Sequence, residues 1–316
     1  MIIRPSLAGL TEKHVPTPLD ISSMPTARLA YGLRKLRAAY TGNAIRVRRS
    51  SNDDEADVAF YNGKEVTLNS TVSSGGTLRD FISTGTAYVT TWYNQSGNSS
   101  TQAGGGSWSG YDTDPNATQT TTSNQPEIIS SGSVNEGISF VSSSTRYFNV
   151  TNYRLPNANT GDAFTYVRCG QIADYSVYAG LISNLDNYND GVELMALNTA
   201  AFRIAVDSND EDSATSYPAD KDIVVIGSYD RTRASAQGGD GSSQIVRVNG
   251  NETTMDTDED KHVGSSDRFK IGVRKIDATS LDGTCSEVYV FESQLSQALQ
   301  ISLERNMAIY NGADLA

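Results

Sequence analysis

Apolar and polar positions alternate with a period of two over most of the second half of this chain. Residues 164–169, 177–182, 192–197, 202–206, 223–229, 244–248, 269–273 and 285–292 read as short strands. Polar turns such as Asn249-Gly250-Asn251 and Ser265-Ser266-Asp267 separate them. Evenly spaced short strands with turn punctuation predict a mainly β sandwich or jelly roll, in which two sheets bury their facing sides. In the first half, Ile45 and Val47 alternate with Arg46 and Arg48, and Val58 and Phe60 follow the acidic turn Asn52-Asp53-Asp54-Glu55. Ala87 and Val89 then lead into Thr90-Thr91-Trp92-Tyr93-Asn94-Gln95-Ser96-Gly97-Asn98, where a strand leaves the sheet for a polar loop. Strands resume at 125–129 and 137–140.

Two segments switch to helical spacing. Leu29, Leu33, Leu36 and Tyr40 follow a Thr26 cap and precede Thr41-Gly42-Asn43, which predicts an N-terminal helix. Leu299, Leu303, Met307 and Tyr310 lie between Ser296 and Gly312 and predict a closing helix. Residues 1–24 carry Pro5, Pro16 and Pro18 without sustained periodicity and read as an extended arm, leaving 25–316 as one domain. The stretch 96–124, rich in Gly, Ser, Thr and Asn, reads as a long loop carrying Trp108 and Tyr111. A loop of that length in a compact domain is usually functional or a family insertion.

Composition narrows the partners. A formal charge of −12 over 316 residues argues against a nucleic-acid backbone or an anionic membrane. No apolar run is long enough to cross a bilayer, and no signal peptide is expected at Met1-Ile2-Ile3-Arg4-Pro5. Arg34, Lys35, Arg37, Arg46, Arg48 and Arg49 crowd together, either as a solvated face or as a docking surface for an acidic neighbour. The two cysteines, Cys169 and Cys285, read as reduced core residues, with a bridge between neighbouring strands left open. His14 and His262 are the only histidines, too few for a histidine-rich zinc site or a Ser-His-Asp triad. Acidic clusters at Asp53–Asp57, Asp207–Asp212 and Asp256–Asp260 do not match the twelve-residue calcium loop, so no cofactor is expected; calcium is compatible with them but not indicated. Gly104-Gly105-Gly106 opens no helix, which excludes a phosphate loop.

Several segments then fall into one pattern. They are Ala30-Tyr31-Gly32-Leu33-Arg34-Lys35-Leu36-Arg37, the run from Tyr40 to Ser50, Trp92-Tyr93-Asn94-Gln95-Ser96-Gly97-Asn98, Ala117-Thr118-Gln119 and Gln125-Pro126-Glu127-Ile128. Their order resembles modules of bacteriophage virion and tail proteins related to the catalytic domain of arabinofuranosidase B. Glu287-Val288-Tyr289-Val290-Phe291, followed by a helix ending Tyr310-Asn311-Gly312, resembles the closing strand and helix of concanavalin-like and laminin-G-like sandwiches. The resemblance spans about residues 27–314. It implies a concanavalin-like jelly-roll sandwich with a face that meets carbohydrate, and it does not by itself imply hydrolysis.

Asn189-Asp190-Gly191-Val192-Glu193 is similar to the family's nucleophile strand, where a glycine lies two residues before a glutamate. On that match Glu193 is the catalytic candidate of a retaining glycoside hydrolase, whose two carboxyl groups stand about 5–5.5 Å apart. The family's acid has no counterpart pattern here. Asp230 and Asp282 are strand-end aspartates nominated by position, and the family's paired cysteines are missing. Flat aromatic faces suit sugar rings, which nominates Trp108, Tyr111 and Trp92 for carbohydrate binding. Trp92 and Tyr93 are adjacent strand residues and point to opposite faces, so at most one meets a given ligand. Asn94 and Gln95 suit the task of satisfying backbone groups at the strand exit.

The expectation is a non-catalytic virion structural protein on a phage tail or capsid exterior, made in the host cytoplasm, homo-oligomeric and recognising host surface glycan. Its other partners would be virion proteins, met through residues 1–24 and the basic N-terminal region. The alternatives are an arabinofuranosidase-type hydrolase acting on host polysaccharide and a purely architectural decoration or cement protein.

Overall fold

The computed structural model describes residues 16–83, 85–97, 115–130, 133–151, 153, 163–184, 191–206, 209–213, 216–230, 242–257, 268–274 and 279–315. Its strands are β1 (Leu29–Gly32), β2 (Ile45–Arg49), β3 (Glu55–Val58), β4 (Ala87–Trp92), β5 (Ala117–Thr118), β6 (Glu127–Ser130), β7 (Ser133–Phe140), β8 (Phe148–Thr151) and β9 (Ala163–Ile172). They continue with β10 (Ala179–Ser183), β11 (Val192–Ala196), β12 (Phe202–Val206), β13 (Asn209–Asp212), β14 (Ile223–Asp230), β15 (Ser242–Val248), β16 (Asn251–Thr257), β17 (Arg268–Ile271) and β18 (Gly283–Phe291). Helix α1 (Leu78–Ile82) lies between β3 and β4, and α2 (Gln297–Asn311) closes the chain.

The pairings build two antiparallel layers. The first runs β16-β15-β14-β9-β18, with β18 bonded beyond to β7 at its start and to β1 at its end. The second runs β13-β12-β11-β10-β17-β8-β5-β4-β2-β3, and β6 joins β4 to β7. Gly227 on β14 shows that they face each other. A Cβ there would lie 2.9 Å from side-chain atoms of both Ile204 and Leu194, so only glycine lets β12 and β11 approach. The fold is thus the expected β-sandwich, and its main core fills the space between the layers, with Phe164, Val225, Val288, Leu194 and Ile204 all buried.

Alternation along the first layer has two apolar sides. Val167, Cys169, Val224, Ile226, Tyr289 and Phe291 point away from the sandwich and pack under α2 with Leu303 and Met307. The closing helix thus forms where its stripe predicts, and Gly312, at φ 82°, ends it with its N–H donating to Ala308. Cys169 lies on this helix side, whereas Cys285 belongs to the sandwich core. Opposite faces of one sheet cannot be bridged, and both thiols are free and buried.

The expected N-terminal helix does not form. Leu29–Gly32 is instead a strand paired with Val290–Glu287 of β18. Leu29 and Tyr31 enter the sandwich core, while Ala30 joins Leu36 and Leu19 under α2. A strand buried on both faces shows no polar alternation, so three leucines at 29, 33 and 36 imitate a helix. Helix α1 has the opposite history: the weakly patterned stretch before residue 84 hides Thr77-Leu78-Arg79-Asp80, a full capping box.

Of residues 1–24, the described part packs on the domain. Leu19 is 6% exposed, its N–H donates to the Leu36 carbonyl, and the Pro16 carbonyl accepts from Asn306 of α2.

The motif after β4 is backbone carpentry. Asn94 Oδ1 accepts from the Ala30 N–H at 2.9 Å and the Ser96 N–H at 3.1 Å. Gln95 Oε1 accepts from Leu36 N–H at 2.9 Å, and its amide donates to the carbonyls of Gly32 and Arg34 at 2.8 and 3.3 Å. Gln95→Ala would strand three buried backbone groups, so a loss of about 1–3 kcal/mol is expected from urea unfolding. A variant as stable as the parent would show that this turn holds itself.

Candidate functional site

Register carries one line of side chains across the outer face of the second layer. Asp57 opposes Arg46, Arg46 opposes Thr91, Thr91 opposes Thr118, and Thr118 opposes Asn149. Asn149 opposes Lys270, Lys270 opposes Ser183, Ser183 opposes Glu193, and Glu193 opposes Ala205. Directly opposed residues share a face, and the neighbouring line Val58, Ile45, Trp92, Ala117, Val150 and Phe269 lies entirely in the core. Eight strand spacings of about 4.8 Å make the outer line roughly 38 Å long.

Tyrosines flank this polar band. Tyr93 donates to Asp57 Oδ1 at 2.7 Å, and burial together with that bond pushes its phenol up to about 12. Tyr147 carries Lys270 over its ring at 4.9 Å, and Tyr178, 41% exposed, lies 5.8 Å from the Arg274 guanidinium. Aromatic rings beside hydroxyl, amide and ammonium groups are the chemistry that holds sugars, with stacking on one surface and hydrogen bonds at the edge.

At its β10–β11 end the band is covered. Glu193 is 0% exposed, and Arg274 Nε donates to its Oε2 at 3.0 Å. Ser183, opposite Glu193, is also fully buried, and its hydroxyl makes no hydrogen bond. Glu193 therefore sits on the outer face as a covered, ion-paired carboxylate.

A retaining hydrolase needs a second carboxyl beside it. The cross-strand neighbours of Glu193 are Ser183 and Ala205, and the next residue on its face of β11 is Met195; none is acidic. Asp230 ends β14 in the other layer, where Ile226 marks its face as the side under α2. The whole thickness of the sandwich separates that face from Glu193. Asp282 accepts from Ser142 in the turn after β7. Neither nominated aspartate is brought to Glu193.

The other nominated residues resolve differently. Trp92 cannot stack on a ligand at the surface: it is 0% exposed, its ring centroid 5.8 Å from Tyr31 and 6.0 Å from Phe148. Trp108 and Tyr111 lie outside the described residues.

Four residues of the basic N-terminal cluster have acidic partners within the chain. Arg46 pairs with Glu55 at 2.7 Å and Asp57 at 3.1 Å, Arg48 with Asp53 at 2.5 Å, and Arg49 with Asp54. Arg34 is buried against Glu287. The same pairs engage the acidic cluster Asp53–Asp57, and the Arg49 contact holds the Asp54 carboxyl below its ordinary range.

Sequence reasoning missed Asn149, Tyr147, Lys270, Ser183, Tyr178 and Arg274. A signal existed for two of them: Phe148-Asn149-Val150 and Phe269-Lys270-Ile271 each set one polar residue between two core residues, which marks the outward side of a strand. Arg274 had none, because it meets Glu193 across 81 positions of sequence.

Comparison with solved structures decides the fold. A GH54 α-L-arabinofuranosidase soaked with a cyclic sulfate inhibitor superposes at a TM-score of 0.58 and 12% identity, covering 89% of this chain and 62% of that one. A point mutant of a GH54 α-L-arabinofuranosidase soaked with 4-nitrophenyl α-L-arabinofuranoside gives 0.57 and 13% over the same shares. An arabinofuranosidase complexed with arabinofuranosyl-α-1,2-xylobiose gives 0.52 and 13%. The fold is that of the arabinofuranosidase sandwich. The chain spans less than two thirds of those enzymes. No protein-family model and no curated protein sequence matches it.

Proposed function

We propose that this protein is a non-catalytic glycan-recognition module carried on the exterior of a bacteriophage particle, tail or capsid, which binds host surface polysaccharide along the outer face of the second layer. The observation that carries the binding role is the polar band from Asp57 to Glu193 with Tyr93, Tyr147 and Tyr178 beside it. The absence of a carboxyl at the described positions adjoining Glu193 favours recognition over hydrolysis. The virion setting rests on the sequence resemblance of the segments from Ala30 to Ile128.

The reading is tested on a glycan array together with a reducing-sugar assay on arabinan and host polysaccharide. Saturable binding is expected, weakened about tenfold or more by Tyr147→Ala, with no sugar released. Sugar release that disappears in Glu193→Gln would establish the hydrolase instead, the second reading, which the arabinofuranosidase-like fold favours. No binding to any glycan, with the protein still present in purified particles, would leave an architectural role. Leu19 is packed under α2, so a deletion that probes the arm in assembly stops at residue 15.

A further inference from the structure

At the β3 edge of the second layer, the β2–β3 hairpin and helix α1 leave an open cavity of about 400 Å³ between them. Arg49 and Asp54 reach it from the hairpin and Glu55 from the start of β3. Ser74 reaches it from the turn before α1, and Asp80 and Phe81 from α1 itself. That turn is tied to the sheet, because the Asp57 N–H donates to Ser73 Oγ at 2.9 Å.

The one cation in the lining is already engaged. Arg49 Nε donates to Asn52 at 2.6 Å, Nη1 to the Phe81 carbonyl at 3.1 Å, and Nη2 to Asp54. Its guanidinium also lies 5.0 Å from the Phe81 ring. The carboxylates differ, since each spends one oxygen only. Asp54 Oδ2 accepts from Arg49 and Asn52, and Glu55 Oε2 accepts from Arg46 at 2.7 Å. Asp80 Oδ2 accepts from the Thr77 N–H at 3.0 Å and its hydroxyl at 2.6 Å. Asp54 Oδ1, Glu55 Oε1 and Asp80 Oδ1 take no hydrogen bond from the described residues. The bonds from Arg49 and from Thr77 hold the Asp54 and Asp80 carboxyls below their ordinary range, so both are ionised at neutral pH.

The cavity thus offers spare acceptors, negative charge and one aromatic ring. Acceptors of that charge select a cationic donor. A bare metal ion does not suit them, because among the described residues no three acidic, His or Cys side chains stand close enough to hold one. The space fits a larger group. About 400 Å³ lies within the range of pockets that take small organic ligands, and Phe81 offers apolar surface to the C–H face of a sugar ring. Glu55 joins the cavity to the polar band, since its bonded oxygen holds Arg46, which opposes Asp57 and Thr91.

We propose that this cavity binds an amino-sugar unit with a free ammonium group, part of the glycan that lies along the band. The ammonium group donates to the spare oxygens of Asp54 and Asp80. The proposal rests on the surface reading and adds the chemical class of the unit held at its β3 end.

The test titrates the full chain with a β-1,4-linked glucosamine tetramer and with its fully N-acetylated counterpart, by calorimetry at about pH 6, where the amine is protonated and the carboxylates are ionised. The free-amine tetramer is expected to bind about tenfold or more tighter. Asp54→Asn and Asp80→Asn should each remove most of that preference while leaving the affinity for the acetylated tetramer unchanged. Asparagine keeps an acceptor for Arg49 or Thr77, and melting temperature checks the fold. Ser74→Tyr fills the cavity without touching a carboxylate and should abolish the preference as well.

Equal affinity for the two tetramers, binding of neither, or a preference unchanged in all three variants would overturn the proposal. A lysine tetrapeptide that binds as tightly as the free-amine tetramer, and weakens in the same variants, would assign the cavity to a protein partner and overturn the sugar assignment. Tyr147→Ala separates this site from the band. Loss of both tetramers in Tyr147→Ala, with no amine preference in the parent, would keep the band and overturn the cavity. An amine preference that survives Tyr147→Ala would support the cavity even where the band fails.

Discussion

Arg34→Met is expected to cost about 3–5 kcal/mol of stability, because it leaves a buried carboxylate without its cation. Arg34 and Glu287 are 4% and 1% exposed, and the guanidinium meets both carboxylate oxygens, at 2.8 and 3.1 Å. The pair is also a junction. Arg34 donates to Asn306 at 2.8 Å, Asn311 donates to Glu287 at 2.9 Å, and Tyr289 donates to its other oxygen at 2.5 Å. Tyr310 lies under the guanidinium at 4.3 Å and donates to Glu65. Strand β18, the exit of β1 and helix α2 are therefore locked at one point, and Asn306 extends the lock to Pro16.

Urea unfolding of Arg34→Met and of Arg34→Met/Glu287→Gln checks this. The double variant should recover part of the loss, since neutralising the stranded carboxylate removes most of its desolvation cost while keeping acceptors for Tyr289 and Asn311. Additive losses would mean that the two side chains do not act as a pair.

Trp92→Ala is expected to cost about 3–5 kcal/mol, the range for emptying an aromatic site in a packed core. The ring lies in the middle of the second layer's inner face, between Ile45 and Ala117 in the ladder. Tyr31 reaches it from the first layer's edge strand and Phe148 from two strands away. Collapse is hindered because those neighbours are themselves held in register. Trp92→Phe should lose less than half as much, and circular dichroism in urea reads both. A loss below about 1 kcal/mol for Trp92→Ala would mean that the ring does not fill the core.

Legibility in the sequence followed burial geometry. Strands with one wet face, such as β2 with its Ile45 and Val47, declared themselves by alternation, and α2 did so by its stripe and its Gly312 stop. Strand β1 did not, because both its faces are buried and Leu29 falls at helical intervals with Leu33 and Leu36 beyond its end. The roles of Asn94 and Gln95 were readable from residue type and position, since amides at a strand exit have backbone groups to satisfy.

The site was less legible. Glu193 was found by resemblance alone, and its partner Arg274 only by the fold. The band needs the register of nine strands before Asn149, Lys270 and Ser183 become neighbours, and no local pattern encodes register between strands so far apart in sequence. A charge count marks the basic cluster, but the acids of the turn and of β3 that pair with Arg46, Arg48 and Arg49 become visible only in the fold.

Recognition without hydrolysis is tested most directly by recovering a bound glycan. A fluorescently end-labelled oligosaccharide selected from the array would be held with the protein for a day, then released and sized. The account predicts saturable binding and return of the oligosaccharide at its original length, from the parent and from Glu193→Gln alike. Shortened product from the parent, absent with Glu193→Gln, would contradict it and make Glu193 a nucleophile.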